Sequence, residues 1–148
     1  MNPIRIATIG FTKKNAEQFF TALKRAQVKR LLDVRLNNQS QLAGFSKRDD
    51  LAYFLKAILN VEYVHLSILA PTQEMLDAYK KAKGSWPEYE KRFLDLMARR
   101  EIERQIQPNL VDAGCLLCSE DKPHHCHRRL VAEYLNDKWG NIKIEHLV

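Results

Sequence analysis

Short apolar segments alternate with segments of helical periodicity along the whole chain, and this alternation limits the possible folds more than any other feature. The apolar segments predict five strands: Ile4–Ile9, Arg30–Arg35, Val61–Leu66, Ala113–Cys118 and Ile142–His146. Short strands separated by helices favour a mainly parallel sheet that is covered on both faces. We therefore expect an α/β fold, a Rossmann-like or flavodoxin-like three-layer sandwich around a five-stranded sheet.

The helices between these strands begin at recognisable capping residues. The sequence predicts helix starts at Asn15, Ser46, Thr72 and Ser85. The helix that starts at Ser85 is expected to continue toward Ile106, because apolar residues recur there with helical spacing. A last helix is predicted over Cys126–Lys138, where Gly140 can end it.

The pattern predicts a single domain over residues 1–148, because no linker, repeat or low-complexity tract interrupts it. A chain of this length buries enough apolar surface to fold without a disulfide or a metal. About 45 residues with two predicted helices separate the third strand from the fourth. Since a crossover requires only a dozen or so residues, this segment is long enough to form a lid or an interaction surface.

The composition favours a cytoplasmic protein with an anionic partner. We expect no membrane segment and no secretory signal, since no apolar run approaches the roughly 20 residues that cross a bilayer. Three cysteines do not make a disulfide framework. The net charge of +6 favours an anionic small molecule or nucleic acid, although the basic doublets are scattered as on an ordinary surface. The sequence indicates neither a cofactor nor an oligomeric state.

Polar residues follow the predicted strands at their carboxyl ends, where open α/β sheets bind ligands. Gly10 ends the first strand, Asp33 and Arg35 the second, and Cys118 and Glu120 the fourth. Asp33 and Arg35 share a face of the strand, so one ligand can meet both. An ion pair between them is an equally good interpretation.

The fourteen residues from Leu116 to Arg129 concentrate the reactive groups, with two of the three cysteines and three of the five histidines. Cys126 is predicted in the first turn of the last helix, where free amide groups and the helix dipole stabilise a thiolate or bind phosphate. Cys126, Leu130 and Tyr134 share a stripe that faces the sheet. This stripe favours a partnership of Cys126 with Cys118.

Three chemistries are open to Cys118 and Cys126, besides inert packing. Either thiol can be a nucleophile, with Glu120, Asp33 or His127 moving protons. The two can form a redox pair across their seven-residue loop. They can also bind zinc together with one histidine from His124, His125 and His127.

Two arguments limit the zinc alternative. Cys115 and Cys118 are three residues apart on a strand, so their side chains face opposite ways and Cys115 is expected to be a buried apolar residue. Cys126 and His127 would project about a hundred degrees apart on a helix, which argues against one metal bound by both. We therefore assign no metal ligand from the sequence.

Several segments together resemble a known family: Thr8–Gly10, Leu32–Arg35, Phe45–Lys47, Tyr63–Leu66, Leu116–Glu120 and Cys126–Arg129. Their pattern is similar to that of the DUF488 family, small α/β proteins without an established reaction. Cys-x-Glu followed by Cys-His-Arg is the most specific part of the resemblance, which runs from the first strand to the last. The resemblance implies a pocket formed by Asp33, Arg35, Cys118, Glu120, Cys126, His127 and Arg128.

Two positions depart from the family pattern. Phe11 stands where relatives usually have a histidine, and Ser67–Ala70 stands where they usually have a proline and a glycine pair. If that histidine takes part in the chemistry of relatives, this protein binds a different ligand or has lost activity.

The sequence as a whole favours an enzyme with a thiol-containing anion pocket, acting on a phosphorylated, nucleotide-like or nucleic-acid substrate. The predicted catalytic residues are Cys118, Glu120, Cys126 and His127. The predicted substrate-binding residues are Gly10, Asp33, Arg35 and Arg128. The alternative is a non-catalytic module that binds nucleic acid or zinc.

Overall fold

The computed structural model describes residues 3–37, 44–119 and 125–147, which form an α/β sandwich. Its strands are β1 (Ile4–Gly10), β2 (Arg30–Asp33), β3 (Glu62–His65), β4 (Gly114–Cys118) and β5 (Ile142–Leu147). They form one sheet in the order β3-β2-β4-β1-β5, and every neighbouring pair is parallel. The predicted fold class is confirmed, and no predicted strand end moves by more than two residues.

The described residues form seven α-helices. They are α1 (Ala16–Arg25), α2 (Arg48–Phe54), α3 (Gln73–Lys80), α4 (Trp86–Arg100), α5 (Ile102–Gln105), α6 (Pro108–Val111) and α7 (His127–Trp139). Within the same residues, no helix combines the length and the apolar character that crossing a membrane requires. Four of these helices, α3 to α6, lie between β3 and β4, where the sequence predicted two.

The helices cover both faces of the sheet. On the face covered by α1 and α2, the strands contribute Ile9, Leu31 and Leu117 to one apolar core. On the face covered by α3–α7, they contribute Leu32 and Leu116 to a second core. We call these the α1 face and the α7 face. Because side chains alternate along each strand, both cores form from the same short apolar segments.

Most predicted helix starts are confirmed, and one is wrong. The side chains of Asn15, Thr72 and Ser85 accept hydrogen bonds from backbone amides three residues later. Ser46 instead lies buried in a short 3-10 turn over Gly44–Ser46. Helix α2 begins at Arg48, because the extended backbone of Lys47 takes the capping position without a side-chain hydrogen bond.

Helix α4 ends earlier than the periodicity predicted. It stops at Arg100, because Glu101 adopts a left-handed conformation with φ of 51° and turns the chain. Ile102 and Ile106 follow this turn and are buried in the α7-face core. The apolar spacing that suggested one long helix thus belongs to two segments with different directions.

The strand order creates a crevice at the carboxyl end of β4, which lies between β2 and β1. The chain leaves β1 and β2 toward the α1 face and leaves β4 toward α7 on the other face. Loops that diverge in this way open a crevice beyond the strand ends. Cys118, the last residue of β4, pairs in register with Gly10 at the end of β1 and therefore lies at this crevice.

Candidate functional site

A cavity of about 350 Å³ opens at the crevice. Its lining includes four sequence-predicted residues, Arg35, Cys118, Cys126 and His127. Helices α3 and α4 contribute further lining residues, among them Tyr79 and Trp86. A cavity of this volume accommodates a small molecule.

Cys118 and Cys126, which both line this cavity, are joined by a disulfide, the bond that the redox-pair interpretation requires. The two Cα atoms are 7.4 Å apart, whereas ordinary disulfides span about 4.4–6.8 Å between Cα atoms. Above about 7 Å, a disulfide requires the backbone to move. This backbone spacing therefore also suits two separate thiols that both contact one bound ligand.

Cys126 reaches Cys118 because it precedes α7 and is not part of the helix. It is the N-cap residue, with extended backbone angles of −139° and 139°, and α7 starts at His127. The ligand atoms of Cys118, Cys126 and His127 all lie within 4.8 Å of one another. The sequence-based argument against joint metal binding by Cys126 and His127 assumed helical geometry at both residues, and Cys126 does not have it.

Arg128 lies behind the two sulfurs and is completely buried. Its Nη1 donates to the Sγ atoms of Cys118 and Cys126, at 3.4 and 3.9 Å. Its Nε donates to the hydroxyl of Thr8 at 3.2 Å, and that hydroxyl is hydrogen-bonded to His146 at 2.6 Å. A guanidinium in this position stabilises the thiolate form of a cysteine. The sequence assigned Arg128 to the substrate, but among the described residues the lining of the cavity does not include it.

His127 is held as a neutral imidazole. Its Nε2 donates to the carbonyl oxygen of Val34 at 2.7 Å, so Nδ1 carries the lone pair. Burial lowers the pKa of His127 to about 4, and the hydrogen bond to Val34 only partly opposes this effect. Near neutral pH, His127 is therefore a weak proton acceptor and is better suited to bind a ligand through Nδ1.

Asp33 and Arg35 form a buried ion pair with two parallel hydrogen bonds, of 2.9 and 2.8 Å. The hydroxyl of Tyr63 also donates to Asp33, at 2.5 Å. Arg35 is only 3% exposed, and its Nη1 has no hydrogen-bond partner among the residues that the structure describes. The ion-pair interpretation is thus observed, and Arg35 is also one of the residues that line the cavity.

Sequence reasoning missed the aromatic wall of the cavity. Trp86 stacks with Tyr89 and with His125, at ring-centroid distances of 5.2 and 5.0 Å, and Tyr79 contacts both α4 rings. All four rings line the cavity. The aromatic spacing of three at Trp86 and Tyr89 was a usable signal, but the same spacing is typical of a core stripe.

Comparison with known families decides the classification. The family model described as "Domain of unknown function DUF488" matches residues 15–135. The chain belongs to the DUF488 family. The resemblance seen in the sequence is thereby confirmed. Searches of curated proteins and of solved structures gave no match.

Most of the DUF488 motif residues converge in the structure. Asp33, Arg35 and Arg128 are buried around the crevice, and Gly10 lies beside Cys118 across the β1–β4 pair. The predicted catalytic residue Glu120 lies outside the described residues, and so does the possible zinc ligand His124.

Phe11 stands where the family resemblance predicts a histidine, and its ring contacts the guanidinium of Arg35. The guanidinium carbon of Arg35 lies 5.5 Å from the centroid of the Phe11 ring, within the range of a cation–π interaction. Phe11 thus supplies no titratable group at this position, and its apolar ring packs on the charge of Arg35.

Cys115 is separated from the site by the sheet. Its side chain is completely buried in the α1-face core, and this burial raises the pKa of the thiol. The expectation that Cys115 and Cys118 face opposite sides is met, since Cys118 belongs to the α7-face core.

Proposed function

We propose that this DUF488 protein is an enzyme that binds a small phosphorylated or nucleotide-like anion in the cavity and acts on it through Cys118 and Cys126. One observation carries the proposal: buried Arg35, whose Nη1 has no hydrogen-bond partner among the described residues, lines the same cavity as Cys118 and Cys126.

The anion is recognised by Arg35. A buried donor without a partner costs about 1–3 kcal/mol, and a bound anion removes this cost. Asp33 holds the other side of the guanidinium through two hydrogen bonds and so fixes its direction. The net charge of +6 also favours an anionic ligand over a cationic one.

The aromatic wall favours a ligand with a planar ring. Trp86, Tyr89 and Tyr79 line the same cavity as the two cysteines, and aromatic side chains are the usual stacking partners of bases. A volume of about 350 Å³ suits a mononucleotide-sized molecule. We therefore favour a small molecule over a nucleic-acid duplex.

The reactive group is supplied by the cysteine pair. Arg128 donates to both sulfurs and supports the thiolate form, which is the reactive form of cysteine. His127 is neutral and hydrogen-bonded to the backbone, so it positions the ligand or the sulfurs rather than taking up a proton at neutral pH.

Titration calorimetry with AMP and with inorganic phosphate tests the recognition step. In the double variant Asp33→Asn with Arg35→Gln, no buried charge is left without a partner. We expect at least about a tenfold loss of AMP affinity, as is typical when a charged hydrogen bond is removed. Arg30→Gln, at the opposite end of the same strand and paired with Glu62, is the control.

Alkylation of the reduced protein tests whether the sulfurs share the AMP site. Saturating AMP should slow the reaction of iodoacetamide with Cys118 and Cys126, as mapped by mass spectrometry. Unchanged AMP affinity in the double variant, or no protection of the cysteines by AMP, would contradict the proposal. Preferential binding of duplex DNA with a steep salt dependence would favour the nucleic-acid module instead.

A further inference from the structure

We infer that the reduced Cys118–Cys126 pair and His127 bind one zinc ion, with an open fourth position that faces the cavity. This inference names a metal for the site of the proposed function, and it rests on that function only for the anion that fills the fourth position.

The three ligand atoms are already gathered for one metal. They lie within 4.8 Å of one another. Zinc binds sulfur at about 2.3 Å in a tetrahedral arrangement, which places two sulfur ligands roughly 3.8 Å apart. The Cα separation of 7.4 Å leaves the room that two sulfurs at this spacing need. The same separation exceeds the usual disulfide range.

His127 is oriented like a metal-binding histidine, with one ring nitrogen donating to a protein group and the other without a proton. Histidines that bind metals usually donate their other ring N–H to a backbone carbonyl or a carboxylate. The Nε2 of His127 donates to Val34 at 2.7 Å and thereby leaves Nδ1 unprotonated. This hydrogen bond fixes both the tautomer and the plane of the ring before a metal arrives.

The charges around the sulfurs support the same conclusion. When Zn²⁺ binds, two S–H bonds break, two protons leave to solvent and two Zn–S bonds form, so the two thiolates and the ion sum to zero charge. Arg128 adds one positive charge, and its N–H groups already point at both sulfurs. The assembled site is therefore cationic, and an anion is the favoured fourth ligand.

The cavity makes this a site of the catalytic type. Structural zinc sites are closed by four protein ligands, whereas catalytic sites use three and keep one position open. Cys118, Cys126 and His127 all line the cavity that Arg35 also lines. An anion bound to the metal would thus lie in the cavity lined by Arg35, whose Nη1 has no partner in the part of the chain that the structure describes.

Titration of the reduced protein with Co²⁺, followed by displacement with Zn²⁺, tests the metal site. We expect one equivalent of Co²⁺ per chain, with thiolate-to-cobalt charge-transfer absorption and the intense visible bands of tetrahedral cobalt. Cys118→Ser, Cys126→Ser and His127→Gln should each weaken binding at least about tenfold, and circular dichroism checks their folding. Cys115→Ala is the matched control, because that cysteine lies on the other face.

Reduced wild-type protein that takes up no Co²⁺ would overturn the inference without reference to any variant. Binding that Cys115→Ala weakens as much as Cys118→Ser does would also overturn it. The anion is tested separately, by adding phosphate or AMP to the cobalt protein and to the metal-free protein. A metal site that ignores both anions would sustain this inference and contradict the proposed function, whereas AMP binding without any metal uptake would do the reverse.

Discussion

Cys115 and Cys118 are three residues apart on β4, yet their surroundings differ completely. Cys115 is sealed in the α1-face core among apolar side chains. Cys118 contacts another sulfur and a buried guanidinium, and it lines the cavity. One strand thus carries a thiol enclosed by apolar side chains on one face and, on the other, a sulfur beside a guanidinium and a cavity.

This difference shows how the fold separates stability from chemistry. An odd separation along a strand sends two side chains to opposite faces. The α1 face is packed with apolar groups near Cys115, whereas on the α7 face Arg128, which also donates to Thr8, donates to the sulfur of Cys118. We therefore expect thiol chemistry on only one side of the carboxyl end of β4.

The largest expected effect is on thiol reactivity. In the reduced native protein, iodoacetamide should modify Cys118 or Cys126 at least about a thousandfold faster than Cys115, since Cys115 reacts only when the core opens. Mass spectrometry of the three cysteine peptides over time measures the ratio. All three should react at similar rates in denaturant, and comparable native rates would remove the contrast between the two faces.

A smaller effect is expected when the guanidinium behind the sulfurs is removed. Arg128→Met should slow the alkylation of Cys118 and Cys126 about tenfold at neutral pH, because less of each thiol is ionised. Arg129→Met is the control, since the neighbouring Arg129 pairs with Glu133. Equal slowing in the two variants would show that general positive charge, rather than contact with the sulfurs, controls reactivity.

The smallest effect concerns stability at alkaline pH. Burial raises the pKa of Cys115 above its ordinary value of 9.0, so the unfolded chain loses this proton first as the pH rises. The contribution of the neutral thiol to stability is complete below pH 9 and is lost above it, by up to about 1.4 kcal/mol for each pH unit.

Urea unfolding of the wild type and Cys115→Ala between pH 7 and pH 11 measures this contribution. We expect the wild type to lose stability above pH 9 more steeply than the variant, whose other titrating groups are the same. An equal loss of stability with pH in both proteins would show that burial does not raise the pKa of the Cys115 thiol.

The fold could be predicted closely because its signals are local. Each strand is a short apolar run, and Asn15 and Gln18 form both hydrogen bonds of the predicted capping box. The prediction failed where tertiary contacts decided the backbone. Ser46 has the side chain of a capping residue, but it is buried one residue before Lys47, which takes the capping position. Glu101 has no local signal for the left-handed turn that ends α4.

The candidate site could be predicted only in part. The strand-end rule identified Asp33, Arg35 and Cys118, because parallel strands end at one edge of the sheet. The stripe on α7 indicated the partnership of Cys118 with Cys126. The roles were less predictable: Arg128 was expected in the pocket but lies behind the sulfurs, and Trp86 of the aromatic wall was not identified.

The sequence by itself determined the alternation of strands and helices, the separation of Cys115 from Cys118, and the residues that meet at one edge of the sheet. These features depend on backbone periodicity, which neighbouring residues set. Only the tertiary structure decided that Arg128 donates to both sulfurs, that Cys126 reaches Cys118 from outside its helix, and that His127 turns its N–H toward Val34. Each of these depends on how separate segments of the chain pack together, which no local pattern specifies.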